Sequence, residues 1–509
     1  MSPNKGERLV GVSRPGDEND AKPVTILEKL YTERRLQAGV LALVFVYYGI
    51  VLFNAGIAAH DGPINLTFNS MLANLCHGRF DVDPAIIGNE GFLRNGHVYA
   101  YWGIFCALLR IPLLLTNRLD LDVTTLSCLI AVCLCCTAKL QTILLVRNST
   151  TRSPSSNLAI SMMVLYVLFG GSAVGYLKSS IYQEVDFWSA ALCAIFVYAS
   201  VKGIIERHYS FATLMMMSCA AGLTLLTRVS TGIGTCLAFG LLSVVLVTRG
   251  AFGNDRERKC SVISLVLRHL VSEKIVIPIV VLGIFLLAAG TVNYFRWGSP
   301  FKFADHTLYI MNAYFPDRMP RTHLYGYFSI KRLPFGAIYY FFPIWVFHGP
   351  SGKLFFEATQ FRLMDALELP PSSLFLTDLL PFCMMPFLFL YVRRRRCISF
   401  ISKSTALAVG LAVPCLLMLT AISMNYRYRM DFYPEIDLLG ILGLYAVSSD
   451  PEIGARFWAL RKLLATATAI SMASAFVVMI LYKLSTWGPS QDLLHNGILH
   501  YYANELRNI

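Results

Sequence analysis

Asp61, Asp81, Asp83 and Glu90 stand in one polar stretch, His60 to Tyr101, of a chain that is otherwise strongly apolar. Carboxylates there could do two kinds of chemistry. Asp61 follows the first hydrophobic run and precedes Gly62-Pro63, so it could take a proton from an acceptor hydroxyl as a general base. The same residue type could instead cap a helix running from Ile64 to His77. Asp81 and Asp83, in GRFDVDP, have the character of turn residues before Pro84. Two carboxylates could also contribute to a divalent-cation site, although two alone do not define one. Further along, Glu184 and Asp186 open an apolar run in YQEVDFW, where acids also suit a helix N-terminus. Arg228 in LLTRVSTG, and Arg427 and Arg429 in NYRYR, offer planar guanidinium forks that match phosphate oxygens. The competing reading is arginine reaching to lipid headgroups beside interfacial tyrosines. The chain carries no nucleophile-elbow, zinc-protease, phosphate-loop, CxxC or dinucleotide motif in a usable context.

The elements that must hold these groups are membrane spans. Of 509 residues, 55% are hydrophobic and 15% charged, with mean hydropathy +0.55; soluble domains carry about 25% charged residues. The net charge of +13 reads as the Lys/Arg excess of cytoplasmic loops facing membrane lipids, not as a nucleic-acid footprint. The 13 cysteines lie mostly in apolar runs and have neither metal-ligand nor disulfide spacing. Residues 1–35 are expected to form a cytoplasmic tail. After a first span near 36–58, further spans fall at about 123–146, 157–177, 185–205, 211–227, 230–248, 274–293, 375–392, 404–423, 431–448 and 463–484, each near the ~20 residues a crossing needs. The segment 102–117 is short and carries Arg110 and Pro112 near its middle, so crossing, lying shallow and re-entering are all left open for it. The fold class is therefore an all-α polytopic membrane protein of about eleven transmembrane helices, within a range of about 10–13.

Basic clusters at 249–274, 393–403 and 456–462 are assigned to the cytoplasmic side. The loops 59–101, 178–186, 294–374 and 425–435 then gather on the opposite side. Within 294–374, the aromatic stretch 336–349 is expected to be an interfacial helix. A transporter or flippase of a lipid-linked glycan is the alternative class. It would call for internal symmetry and paired broken helices, and no convincing repeat is present. A third reading is a lipid-binding protein without chemistry.

Taken in order, these pieces resemble the integral-membrane GT-C glycosyltransferases of bacterial type. The resemblance rests on DGPINLTFNSMLANLCHGRFDVDP, GHVYAYWGIFCALLRIPLL, YQEVDFW, LLTRVSTG, VNYFRWGSPFKFA and NYRYRMDFYPEIDLLGILG, and covers roughly residues 36–450. Two departures stand out: Trp102-Gly103 replaces the usual proline pair before the second hydrophobic segment, and Val229 replaces the proline after the Leu-x-x-Arg motif. The resemblance implies a catalytic module over 36–450 with extracytoplasmic loops 59–101 and 294–374, followed by a C-terminal helix and tail over 451–509. It implies that Asp61 is the base in an inverting transfer of sugar from a polyprenyl-phosphate donor to a glycan, lipid or protein acceptor. Arg228, with Arg427 or Arg429, would stabilise the departing lipid phosphate, and Glu184 and Tyr182 would contact substrate. It also implies a bacterial plasma membrane with the site facing outward. Dependence on a divalent cation (Mg or Mn) is left open.

Overall fold

The computed structural model describes residues 26–53, 62–176, 178–252, 273–343, 347–349, 354, 357–365, 368, 373–485, 488 and 497–507. Asp61, most of the basic cluster at 249–274 and the tail 1–25 lie outside these residues. The chain forms two units, 1–43 and 44–509; the second carries everything that follows.

Helices occupy every expected span. They run Ile26–Phe53, Thr124–Ser149, Pro154–Phe169, Ile181–Ile205, Phe211–Thr227, Val229–Phe252, Glu273–Trp297, Leu379–Arg395, Ile398–Thr420, Tyr433–Ser449 and Arg461–Leu484. Among the described residues, seven helical stretches are long and apolar enough to cross a membrane. Local chemistry sets several ends. The side chains of Ser153 and Ser210 accept the backbone N–H groups of Ser156 and Thr213, satisfying donors that the first helical turn leaves open. Asp450 does the same for Glu452 and Ile453 ahead of Pro451.

Two helices at the site are short. Helix Phe211–Thr227 has 17 residues and turns at Arg228 directly into the next helix, which begins at Val229. Helix Tyr433–Ser449 also has 17 residues. Each is roughly 25 Å long, short of a hydrocarbon core of roughly 30 Å.

Within 102–117 no helix is long enough to count as a membrane span. The segment forms two short helices, Phe105–Leu108 and Ile111–Leu115, which meet at Arg110. Gly103 explains one departure from the family pattern: a Cβ there would lie 1.9 Å from the carbonyl oxygen of Leu226. The first loop can seat against the end of helix 211–227 only with no side chain at that position.

The first loop itself holds a 3-10 turn Gly62–Leu66, a helix Thr67–Cys76 and a hairpin pairing Phe92–Arg94 with His97–Tyr99. Asn95 and Gly96 both take positive φ, 52° and 81°, as a two-residue hairpin turn demands. In the long 294–374 segment the expected interfacial helix is displaced to Leu333–Phe341, where Gly336, Tyr339 and Tyr340 are buried. It packs on helix 398–420 more than it faces lipid.

Candidate functional site

Two buried charge networks and one open site share the end of the bundle that carries the first loop. The first network joins Arg110 to Glu184. Arg110 Nη1 and Nη2 donate to Glu184 Oε1 and Oε2 at 2.5 and 2.8 Å, Ser127 Oγ donates to Oε1 at 2.5 Å, and Trp188 donates to Ser127. Both charged side chains are essentially inaccessible, at 1% and 0% exposure. The Glu184 carboxylate, for which a substrate contact was expected, accepts three hydrogen bonds and is sealed from solvent. Arg110, which the sequence offered only as a cost inside an apolar segment, is what it neutralises.

The second network holds Arg429. Its guanidinium donates to Asp378 Oδ2 at 2.8 Å, to Thr377, and to the Tyr426 hydroxyl at 3.0 Å. Asp378 Oδ1 also accepts from Tyr166 at 2.6 Å. A Cβ at Gly171 would sit 2.1 Å from Asp378 Oδ2, so the network closes around a glycine. The Arg429 guanidinium, for which a phosphate contact was expected, is engaged with Asp378 in the protein core. Lys139 and Asp437 make a further buried pair, 2.9 Å apart.

The open site lies beside these. Arg228, at the tip of the helical hairpin, donates Nη1 to Asp186 Oδ1 and contacts both oxygens of Asp431, with Nη2 at 2.6 Å from Oδ2. Ser230 donates to the other Asp431 oxygen at 2.6 Å. With two carboxylates on one guanidinium, the charge of Arg228 is internally spent; it fixes the hairpin tip against the segment 426–431.

Arg427 differs. Its guanidinium carbon lies 4.5 Å from the centre of the Tyr182 ring and 5.5 Å from that of Tyr428, and its buried Nε has no hydrogen-bond partner among the described residues. Asp186 Oδ2 is likewise buried without a partner among them. Acidic groups at Asp186 and Glu368 act on Arg427 only through space. Burying a charge without partners costs several kcal/mol, so a guanidinium held between two aromatic faces is set up to receive an anion.

On the loop side of Arg427 stands a layer of aromatic groups. Tyr182 packs edge-on against Trp102 at 5.4 Å, and Tyr101 lies 4.7 Å from Trp102. Burial raises the Tyr101 phenol, with Arg427 opposing, so it remains a neutral donor. Beyond this layer Glu90 accepts from the Tyr309 hydroxyl at 2.7 Å. Tyr309 belongs to the outer segment that docks on the hairpin through Ile310 N to Gly91 O at 3.0 Å and a stack on Phe92 at 4.8 Å.

Of the residues named from sequence, Tyr182, Arg228 and Arg427 converge here, while Glu184 and Arg429 turn into the core. Asp61 falls outside the described residues. Asp83 caps the turn Pro84–Ile87 by accepting Ala85 N at 2.9 Å, and Asp81 pairs with His97 at 3.1 Å and Arg79 at 3.4 Å. Both therefore follow the turn reading. Among the described residues no three His, Cys, Asp or Glu side chains gather as a metal-holding group. Tyr101, Tyr309, Tyr428 and Asp431 were not picked out for roles from sequence, and Glu90 was named only as one carboxylate of the first loop. Asp431 carried a signal, as an acid within the NYRYRMDFYPE segment.

No protein-family model matches the chain, and no curated protein does. Among solved structures it is similar to the archaeal oligosaccharyltransferase AglB from Archaeoglobus fulgidus, crystallised with an inhibitory peptide and a dolichol-phosphate. The two are 13% identical, the match covers 92% of this chain and 60% of that one, and the TM-score is 0.45. It is also similar to ArnT from Cupriavidus metallidurans bound to undecaprenyl phosphate, at 13% identity over 89% of this chain and 76% of that one, with a TM-score of 0.43. This chain thus spans about 60% of the length of AglB.

Proposed function

We propose that the protein is a membrane glycosyltransferase that moves a sugar from a polyprenyl-phosphate donor to a glycan, lipid or protein acceptor, on the membrane face that carries the first loop. The observation that carries this reading is Arg427, a half-buried guanidinium between Tyr182 and Tyr428 with no hydrogen-bond or ion-pair partner among the described residues. A cation with no carboxylate in contact, at the end of a membrane bundle, suits a phosphate that arrives on a lipid.

In this reading the lipid phosphate rests on Arg427. Arg228 supports it indirectly by fixing segment 426–431 through Asp431. The acceptor hydroxyl loses its proton to Asp61, whose part comes from the motif resemblance. Its oxygen bonds the anomeric carbon as the bond to the phosphate oxygen breaks, giving inversion. The electron pair leaves on the phosphate, where a preorganised cation lowers the barrier most. That face would be the outer one, in a bacterial plasma membrane by the character of the motifs.

The test is a transfer assay in lipid nanodiscs with radiolabelled polyprenyl-phosphate sugars and a membrane extract as acceptor. Wild type is run beside Asp61→Asn and Arg427→Gln. Product from wild type alone supports the reading. Product from Arg427→Gln at the wild-type rate removes its central residue, and silence from a folded wild type across the donor panel sinks the enzyme class.

A further inference from the structure

We infer that Glu90 is the sugar-recognising residue of this site, binding hydroxyls of the donor's sugar; the inference rests on the phosphate reading of Arg427. Three observations carry it. First, one aromatic layer joins Glu90 to Arg427: the Tyr182 ring faces Arg427 at 4.5 Å, Trp102 and Tyr101 continue from it to Phe92, and Tyr309, stacked on Phe92, bonds Glu90. With phosphate on the guanidinium, the group attached to that phosphate has this layer to extend along toward the carboxylate. Second, the wall between them is aromatic, formed by Tyr101, Trp102 and Tyr182. Such rings offer apolar faces to the C–H faces of a pyranose and hydroxyls at their edges. Third, Glu90 is oriented but not used up. It carries no ion-pair partner among the described residues, and Tyr309 accounts for one of the roughly four hydrogen bonds a carboxylate accepts. Its contrast with Glu184, which accepts three bonds from one arginine and one serine and is closed to solvent, is what marks it.

The clamp on Glu90 comes from a separate stretch of chain. Tyr309 reaches it from the outer segment, which stays in place through Ile310 N to Gly91 O and the Phe92 stack. Recognition of the sugar and docking of that segment therefore share one carboxylate. A ligand with adjacent hydroxyls matches what Glu90 has left, since a bidentate acceptor discriminates strongly against an analogue lacking a partner hydroxyl.

The experiment compares equilibrium binding of two probes to the full-length protein in nanodiscs: undecaprenyl phosphate without sugar, and a polyprenyl-phosphate hexose. Glu90→Gln is expected to weaken the glycosylated lipid about tenfold or more while leaving the bare lipid phosphate unchanged. Glu90→Asp should recover part of the loss. Tyr309→Phe, which removes one hydroxyl and keeps the stack on Phe92, should weaken only the glycosylated lipid, by about threefold. Arg427→Gln should weaken both. Equal weakening of both lipids by Glu90→Gln, or unchanged binding of both with lost turnover, overturns the assignment of Glu90 alone. Failure of the wild type to bind either lipid overturns the phosphate reading and this inference with it.

Discussion

Arg429 and Arg427 lie two residues apart on one short turn, Tyr426–Asp431, yet they have opposite fates. Arg429 faces inward onto Asp378, Thr377 and Tyr426 and is almost fully buried. Arg427 faces the aromatic layer and meets two rings and no carboxylate in contact. The difference teaches how to read charge in a membrane bundle. A guanidinium in contact with a carboxylate stabilises the fold, because removing its partner would leave an uncompensated charge. A guanidinium with no carboxylate in contact is kept at a cost that a ligand can offset. The same division separates Glu184 from Glu90.

The comparison can be broken first on its paired side. Glu184→Gln leaves Arg110 buried without a counter-charge and should cost about 3–5 kcal/mol, read as a sharply lower unfolding temperature and loss of monodisperse protein in detergent. Replacing both partners with apolar residues, Arg110→Met with Glu184→Leu, should recover most of that loss; if the double variant is no better than the single one, the pair is not the source of the effect.

On the unpaired side, Arg427→Ala should leave the unfolding temperature near that of wild type while transfer falls about 100- to 1,000-fold, the range for removing one charge-stabilising donor. A variant that unfolds as readily as Glu184→Gln would erase the distinction between the two classes.

An intermediate effect is expected at Asp431, which ties Arg228 and Ser230 to the turn. Asp431→Asn weakens charge-assisted bonds of about 1.5–3 kcal/mol and frees Arg228 to compete for the phosphate. Donor affinity should then change less than turnover, and the split between KM and kcat measures it.

The smallest effect concerns the outer segment. His306 packs against Phe92, Tyr309 and Tyr327, and burial, with Arg318 adding to it, lowers its pKa from 6.5 to about 4. The folded form thus binds the proton more weakly than the unfolded one. The contribution of neutral His306 is full above pH 6.5 and is lost progressively as pH falls toward 4. Protease cleavage within 298–332 should rise over that window in wild type and stay flat in His306→Phe. Equal pH dependence in both would assign the effect to other groups.

Much of the architecture was legible in the chain. Each helix near the ~20 residues that a bilayer requires announced itself by length and apolar content, and Arg110 with Pro112 set 102–117 apart from the clear spans. Asn95-Gly96 and Asp83-Pro84 specified their turns through local backbone preferences. Convergence of Tyr182, Arg228 and Arg427 could be anticipated from their common end of the bundle, since a span fixes which end a residue occupies.

The sequence did not determine which of these charged residues pair with one another. Glu184 and Arg429 sit in motifs as suggestive as those of Tyr182 and Arg427. Their roles were decided by partners 74 and 51 residues away in sequence, Arg110 and Asp378. Helical position sets a residue's depth, but its rotation and its neighbours across the bundle follow from packing, as where Gly103 lets the first loop rest on helix 211–227 and Gly171 makes room for Asp378. Residue type therefore supplied the inventory of charges, and tertiary packing decided which were neutralised within the protein and which were left to meet a ligand.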